Sequence, residues 1–79
     1  MNEYVATFYT HLSAMLTCRA LQQAGLTARM APVPRTLSTS CGTGVFYEGE
    51  DLQRDCLDED TEKVFAVTAD GYDLLLELE

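Results

Sequence analysis

The order of the predicted elements, β-α-β-β-α-β, indicates an α+β fold, a two-layer ferredoxin-like sandwich with an antiparallel sheet and its helices on one face. Short runs rich in β-branched and aromatic residues predict strands, and longer stretches without proline or glycine predict helices. Prolines and glycines mark the boundaries between these segments. Because the chain has 79 residues, no repeats and no linker, residues 1–79 form one domain.

The first part of the domain, residues 4–47, is predicted to hold most of the sheet and one helix. In chain order the elements are a strand over 3–8, a helix over 11–24, and strands over 26–31 and 42–47. Thr10 is a typical N-cap residue and Gly25 stands at the usual position after a helix C-terminus. Pro32 ends the second strand. Residues 32–41 are expected to form the loop before the third strand, with one helical turn around Thr36 to Ser40.

The second part, residues 48–79, is predicted to be an acidic helix followed by C-terminal strands. In chain order these are a helix over 50–57, a strand over 63–68 and a strand over 72–79. Leu52, Cys56 and Leu57 recur at helical spacing, which favours the helix. Leu74 and Leu76 belong to an alternating pattern that favours the final strand.

The first helix carries two apolar stripes. Ala14, Cys18 and Leu21 line one side, whose small residues suit close packing on a sheet, whereas Leu12 and Leu16 lie nearly opposite. A two-layer domain covers one stripe only, and uncovered apolar faces and sheet edges tend to find partners. We therefore expect a homodimer, formed through the Leu12/Leu16 face or through the C-terminal strand.

The net charge of −8 is unevenly distributed, with +2 over residues 1–47 and −10 over residues 48–79. Nucleic acid is disfavoured as a partner, because phosphate contacts need clustered lysines and arginines. A protein partner or a small anion suits this distribution better. No stretch is long and apolar enough to span a membrane, and the N-terminus lacks the pattern of a signal peptide, so we expect a cytoplasmic protein.

The segment from Pro32 to Gly42 is the candidate functional loop. It combines two prolines, Arg35, a run of hydroxyls and Cys41. No acidic residue occurs between Glu3 and Glu48, so the charges nearest Cys41 in sequence are Arg29 and Arg35. Nearby cations lower the pKa of a thiol and raise the fraction of reactive thiolate. Ser38 and Ser40 can donate hydrogen bonds to an anion, and Gly42 permits close approach of a ligand to the backbone.

The other two cysteines are predicted to be structural. Cys18 belongs to the packing stripe of the first helix, and Cys56 is surrounded by acidic residues that disfavour a thiolate. The three cysteines are far apart and His11 is the single histidine, so we predict no metal site and no cofactor. A Cys-His hydrolase is poorly supported, because His11 begins the first helix, far from Cys41 in sequence.

The motif P-x-P-R-x-x-S-x-x-C-G, which runs from Pro32 to Gly42, resembles the signature of a small bacterial family known as putative selenium/sulfur carrier protein-like. The resemblance covers residues 4–47 and includes the first strand and the sequence Ala24-Gly25-Leu26. It implies that Cys41 holds a persulfide or a perselenide.

Two functions are the main alternatives, and a redox-active enzyme is a third. In the first, the protein is a non-enzymatic or weakly enzymatic carrier that takes sulfur or selenium on Cys41 from a donor protein and passes it to an acceptor protein. Arg35 then stabilises the persulfide anion, Ser38 and Ser40 orient it, and Gly42 leaves room beside it. In the second, the domain is a non-catalytic interaction or regulatory module whose loop docks a partner protein.

Overall fold

The computed structural model describes residues 2–37 and 42–78, which form one α-helix and five strands. In chain order they are β1 (Asn2–Phe8), α1 (His11–Gln23), β2 (Ala28–Pro32), β3 (Thr43–Gly49), β4 (Thr61–Thr68) and β5 (Gly71–Glu77), with one 3-10 turn (Arg54–Cys56) before β4. The strands form one sheet in the order β2-β3-β1-β4-β5, with every neighbouring pair antiparallel. Within the described ranges, no helix has the length and apolar character needed to cross a bilayer.

The predicted ferredoxin-like βαββαβ fold is wrong. A second helix does not form between β3 and β4, and the C-terminal segment adds β5 as a fifth strand beside β4. The fold is instead a five-stranded antiparallel sheet with α1 packed on one face.

Local hydrogen bonding explains why residues 50–57 do not form the predicted helix. The Asp51 side chain accepts a hydrogen bond from the backbone N–H of Gln53 at 2.8 Å, which gives the backbone an alternative to helical pairing. Gln53 itself has a φ of 55°, outside the helical region, and a single 3-10 turn follows. Leu52, Cys56 and Leu57 nevertheless pack against the core. Their spacing therefore indicates burial without a helix.

Helix α1 forms as predicted, with the capping that its sequence indicates. The Thr10 side chain accepts a hydrogen bond from the N–H of Ser13 at 3.1 Å. Beyond the last turn, Gly25 has a φ of +88°, a conformation that glycine adopts without steric cost.

The two predicted stripes of α1 are confirmed. Ala14, Cys18 and Leu21 are buried in the core between the helix and the sheet. Leu12 and Leu16 are 59% and 45% exposed on the other side of the helix. Their apolar surface is uncovered within the described part of the chain.

Residues 50–60, the acidic segment between β3 and β4, are fixed to α1 through Asp58. The Ser13 hydroxyl donates to Asp58 Oδ2 at 2.8 Å, and the Asp58 N–H donates to Thr17 Oγ1 at 2.9 Å. Thr61 Oγ1 donates to the Asp58 carbonyl at 2.6 Å. These contacts hold the segment on the helix side of the sheet.

The opposite face of the sheet has a second, smaller core. Along β1, Tyr4, Ala6 and Phe8 face the helix, so Val5 and Thr7 face the other way. On that face Val5 and Phe65 pack against Val33 and Leu37, which belong to the loop after β2. The candidate loop therefore covers the sheet face that α1 leaves open, which we call the loop face.

Candidate functional site

The loop between β2 and β3 is closed at its base. The N–H of Val33 donates to the Gly42 carbonyl at 3.0 Å, directly beyond the pair formed by Pro32 and Thr43. Val33 is 9% exposed and Leu37 is 5% exposed, so both side chains anchor the loop on the sheet. Between these anchors, the N–H of Leu37 donates to the Pro34 carbonyl at 2.9 Å and forms a turn.

Arg35 lies in this turn with its side chain exposed. Arg35 has no carboxylate partner among residues 2–37 and 42–78. The ion pair found there joins Lys63 and Glu77, whose charged atoms are 4.0 Å apart. Because Val33 and Leu37 fix the loop on either side of Arg35, the position of its backbone is set while its guanidinium stays available to an anion.

Arg29, the second cation near Cys41 in sequence, has a different position. It lies on β2 opposite Phe46, and its guanidinium carbon is 4.8 Å from the centroid of the Phe46 ring. This cation–π contact holds Arg29 against the sheet. Arg35, in contrast, belongs to the loop itself.

Two glycines shape the base of the loop. Gly42 has a φ of +75° and is exposed, and a Cβ at this position would meet no atom of residues 2–37 or 43–78 within 4 Å. Gly44 is the opposite case, because a Cβ there would lie 2.6 Å from Val33 Cγ1 and 2.8 Å from the Ala6 carbonyl oxygen. The absence of a side chain at Gly44 therefore lets the loop approach the sheet closely.

The remaining predicted site residues, Ser38, Ser40 and Cys41, lie outside the described residues. The turn predicted around Thr36 to Ser40 also falls partly outside them. Of the predicted site residues, Arg35 and Gly42 are described, one within the Pro34–Leu37 turn and the other at the base of the loop.

The two described cysteines are free thiols on the helix side of the sheet. Cys18 is 7% exposed, and its burial raises the pKa of its thiol. Cys56 is half-buried and packs against the same core. Neither contributes to the loop face.

The acidic segment holds a depression of about 400 Å³, lined by residues 51–55 and wide open to solvent. Its described lining includes neither residues 32–37 nor Gly42 of the candidate loop. In the described ranges, no group of three histidine, cysteine or acidic side chains is arranged to hold a metal.

Sequence reasoning missed three residues that build this site: Val33, Leu37 and Gly44. Val33 and Leu37 were detectable, since they are the apolar residues of an otherwise polar segment. Gly44 had no such signal. Its importance depends on the pairing of β1 with β3, which places its Cα beside β1 and under Val33.

Comparison with known proteins shows which family the chain belongs to. The sequence profile of the family described as "Putative Se/S carrier protein-like" matches residues 3–57, which include α1, the whole candidate loop and all of β1 except Asn2. The chain is similar to uncharacterised protein YtiA of Escherichia coli strain K12, with 34% identity over 56 residues. That similarity covers 67% of this chain and 66% of YtiA. No solved structure matches the chain. The chain belongs to the putative Se/S carrier protein-like family.

Proposed function

We propose that this protein carries sulfur or selenium as a persulfide or perselenide on Cys41. One observation carries the proposal: Arg35 is exposed, and unpaired within the described chain, on the same closed loop that contains Cys41. The family description names a selenium or sulfur carrier and supports the same role. The site of action would be the cytoplasm, where reducing conditions keep thiols free.

The chemistry is a transfer of one sulfur atom between cysteines. The Cys41 thiolate attacks the outer sulfur of a donor persulfide, and an S–S bond forms to Cys41 as the donor S–S bond breaks. The donor cysteine leaves as a thiolate and takes up the proton of the transferred group. Cys41 then carries a persulfide anion, and the sulfur passes to an acceptor thiol by the same step in reverse. No external oxidant or reductant is required.

The loop residues have distinct roles in this proposal. The Arg35 guanidinium stabilises the anionic forms of Cys41, and the hydroxyls of Ser38 and Ser40 donate hydrogen bonds to the anion. Gly42 has no side chain that would hinder the approach of a donor or acceptor to the neighbouring cysteine. A sulfur transfer of this kind needs no general base, so these loop residues suffice for the proposed carrier role.

The charge distribution favours an anion at the loop. The acidic segment is bound to α1 through Asp58, on the side of the sheet opposite the loop face. Charges in solvent are screened over about 8 Å at physiological ionic strength, so a cation next to the sulfur outweighs acids across the sheet.

Alkylation of the native protein tests this proposal. We expect Cys41 to react first with a neutral alkylating reagent, because Cys18 is buried with a raised pKa and Cys56 is packed against the core. Peptide mapping at increasing reaction times gives the order. Faster labelling of Cys18 or Cys56 would contradict the proposal.

The pH dependence of that reaction identifies the role of Arg35. In Arg35→Ala the midpoint of the Cys41 pH–rate profile should rise by about one unit, which slows alkylation about tenfold at neutral pH. Arg19→Ala is the matched control and should leave the midpoint unchanged, since Arg19 is an exposed arginine of α1, on the other side of the sheet.

A second function, self-association as part of an interaction module, is supported by the exposed stripe of α1. Leu12, Met15 and Leu16 are 59%, 41% and 45% exposed and adjacent on the helix surface. The β5 edge also exposes Leu74 and Leu75, but Asp73 and Glu77 flank them and would repel their counterparts in a second copy. We therefore place a homodimer contact on the helix stripe.

Sedimentation distinguishes these surfaces. The wild type should be dimeric at about 100 μM, and Leu12→Lys/Leu16→Lys should be monomeric at the same concentration. Leu74→Lys/Leu75→Lys is the matched control, because its leucines have similar exposure, and it should remain dimeric. A monomeric wild type would end the homodimer hypothesis, and loss of the dimer in the control alone would move the contact to β5.

A further inference from the structure

The loop face carries an exposed apolar patch, formed by Val67, Tyr72 and Leu74, which we call the β4–β5 patch. Tyr72 lies directly opposite Val67, and Leu74 lies directly opposite Phe65. Residues directly opposite each other on neighbouring strands point to the same face of a sheet. Because Phe65 and Val67 pack in the core of the loop face, Tyr72 and Leu74 point to that face too. Both remain exposed to solvent.

The β4–β5 patch is continuous with the core beneath the loop. The rings of Phe65 and Tyr72 meet edge-on, with centroids 6.4 Å apart. Phe65 also belongs to one buried cluster with Val33 and Leu37, the two anchors of the loop. A protein bound on the patch therefore lies next to the described half of the loop, residues 33–37.

Two carboxylates border this patch. Glu3 and Glu48 lie directly opposite each other on β1 and β3, and both alternate with tyrosines that face the helix, so both point to the loop face. Tyr4 pairs with Ala66, which places Glu3 beside Val67. Both carboxylates are exposed, and neither forms an ion pair within residues 2–37 and 42–78. Like charges directly opposite each other are unfavourable, so a cation bound here would relieve their repulsion.

These charges disfavour a second copy of the chain as the occupant. The net charge is −8, and a twofold contact through this patch would bring the carboxylates of both copies together. An apolar patch bordered by carboxylates is instead complementary to an apolar side chain flanked by lysine or arginine.

We infer that the β4–β5 patch binds the protein that exchanges sulfur with this one, through an apolar side chain of that protein flanked by basic residues. The inference rests on the proposed function, since the loop beside the patch is the one whose sequence contains Cys41. Burial of apolar surface supplies affinity, and the two carboxylates select a basic partner and speed its association.

Titration with a short synthetic peptide of alternating lysine and leucine tests the binding. The NMR shifts of backbone amides should change at the β4–β5 patch and at Glu3 and Glu48. Peptides with glutamate in place of lysine, or with serine in place of leucine, should bind at least about tenfold more weakly. Cys41→Ser should bind the peptide as the wild type does, because the recognised surface does not include the thiol.

Variants of the patch identify the contacts. Leu74→Lys should weaken binding of the lysine–leucine peptide about tenfold, and Tyr72→Thr, which keeps a residue that favours strands, should have the same effect. Glu3→Gln/Glu48→Gln should weaken binding about fivefold and make it less dependent on salt.

Asp55→Asn/Glu59→Gln is the matched control for the carboxylates. It removes the same charge from two exposed positions of the acidic segment, so it should bind the peptide as the wild type does.

A disulfide exchange reaction tests whether the patch serves the loop. The same peptide with a terminal cysteine, activated as a mixed disulfide, should modify Cys41 about tenfold faster than a neutral small-molecule disulfide with the same leaving group. The reason is that binding raises the concentration of the reagent next to the loop. Leu74→Lys should remove this advantage and leave the rate with the small molecule unchanged.

The outcomes separate this inference from the proposed function. NMR shifts at the acidic segment or at the exposed stripe of α1 instead of the patch overturn the inference, as does a peptide disulfide without a rate advantage. In both cases a fast reaction of Cys41 with the small molecule leaves the carrier proposal standing. A wild-type Cys41 that reacts with the small molecule no faster than Cys18 overturns the carrier proposal, and with it the assignment of the partner as a sulfur donor or acceptor.

Discussion

Replacing Gly44 with alanine is expected to lower the free energy of unfolding by about 2–3 kcal/mol, which is a large share of the stability of so small a domain. The new Cβ would lie 2.6 Å from Val33 Cγ1 and 2.8 Å from the Ala6 carbonyl oxygen. The Ala6 oxygen belongs to the backbone of the central strand β1 and cannot move without disturbing the sheet. Either the loop must lift away from the sheet or β1 and β3 must shift apart.

Chemical denaturation measures this effect, and thermal unfolding should show a midpoint about 10–20 °C lower. Gly49→Ala in the same strand is the matched control, since the nearest atom to its Cβ is 3.4 Å away and its φ is not positive. Its stability should change by less than about 1 kcal/mol. Val33→Ala/Gly44→Ala should lose less stability than the sum of the two single losses, because Val33→Ala removes one of the two close contacts of the new Cβ.

Equal stabilities of Gly44→Ala and Gly49→Ala would contradict the close packing of the loop on the sheet. If Gly44→Ala folds with a lifted loop, Cys41 should also lose reactivity. Its pH–rate profile should then move toward that of an ordinary thiol.

Local signals were sufficient for much of the fold. The cap at Thr10, the glycine after α1 and the alternating leucines of β5 each depend on residues close in sequence, and each element formed. The helix predicted over 50–57 was wrong because apolar residues at helical spacing can also be buried without forming a helix. Asp51 and Asp58 bind backbone groups and α1 side chains there, and these contacts replace helical hydrogen bonds.

The same distinction applies to the site, where features of the loop sequence could be predicted and contacts with the sheet could not. Composition alone identified the loop and Arg35, because prolines, an arginine and a thiol in one short segment stand out in a plain sequence. The anchoring of that loop could not be predicted, since it depends on which sheet face α1 leaves open. Gly44 lies opposite Thr7 because of the antiparallel register of β1 and β3, and that register cannot be predicted from residues close in sequence.

Cys41→Ser is expected to abolish sulfur loading completely, which is the largest functional effect in this account. The alcohol of serine forms no persulfide, and neither other thiol can replace Cys41. Cys18 is buried with a raised pKa, and Cys56 packs against the core on the far side of the sheet. Cys18→Ser and Cys56→Ser are therefore the matched controls, and both should load as the wild type does.

The most direct test is mass spectrometry of the native protein after exposure to a small-molecule persulfide donor and digestion without reductant. The carrier proposal predicts one added sulfur atom on the peptide that contains Cys41, its loss in Cys41→Ser, and its transfer to an acceptor thiol added afterwards. An unmodified Cys41 peptide, or added sulfur found on Cys18 or Cys56 instead, would contradict the proposal that Cys41 carries the cargo.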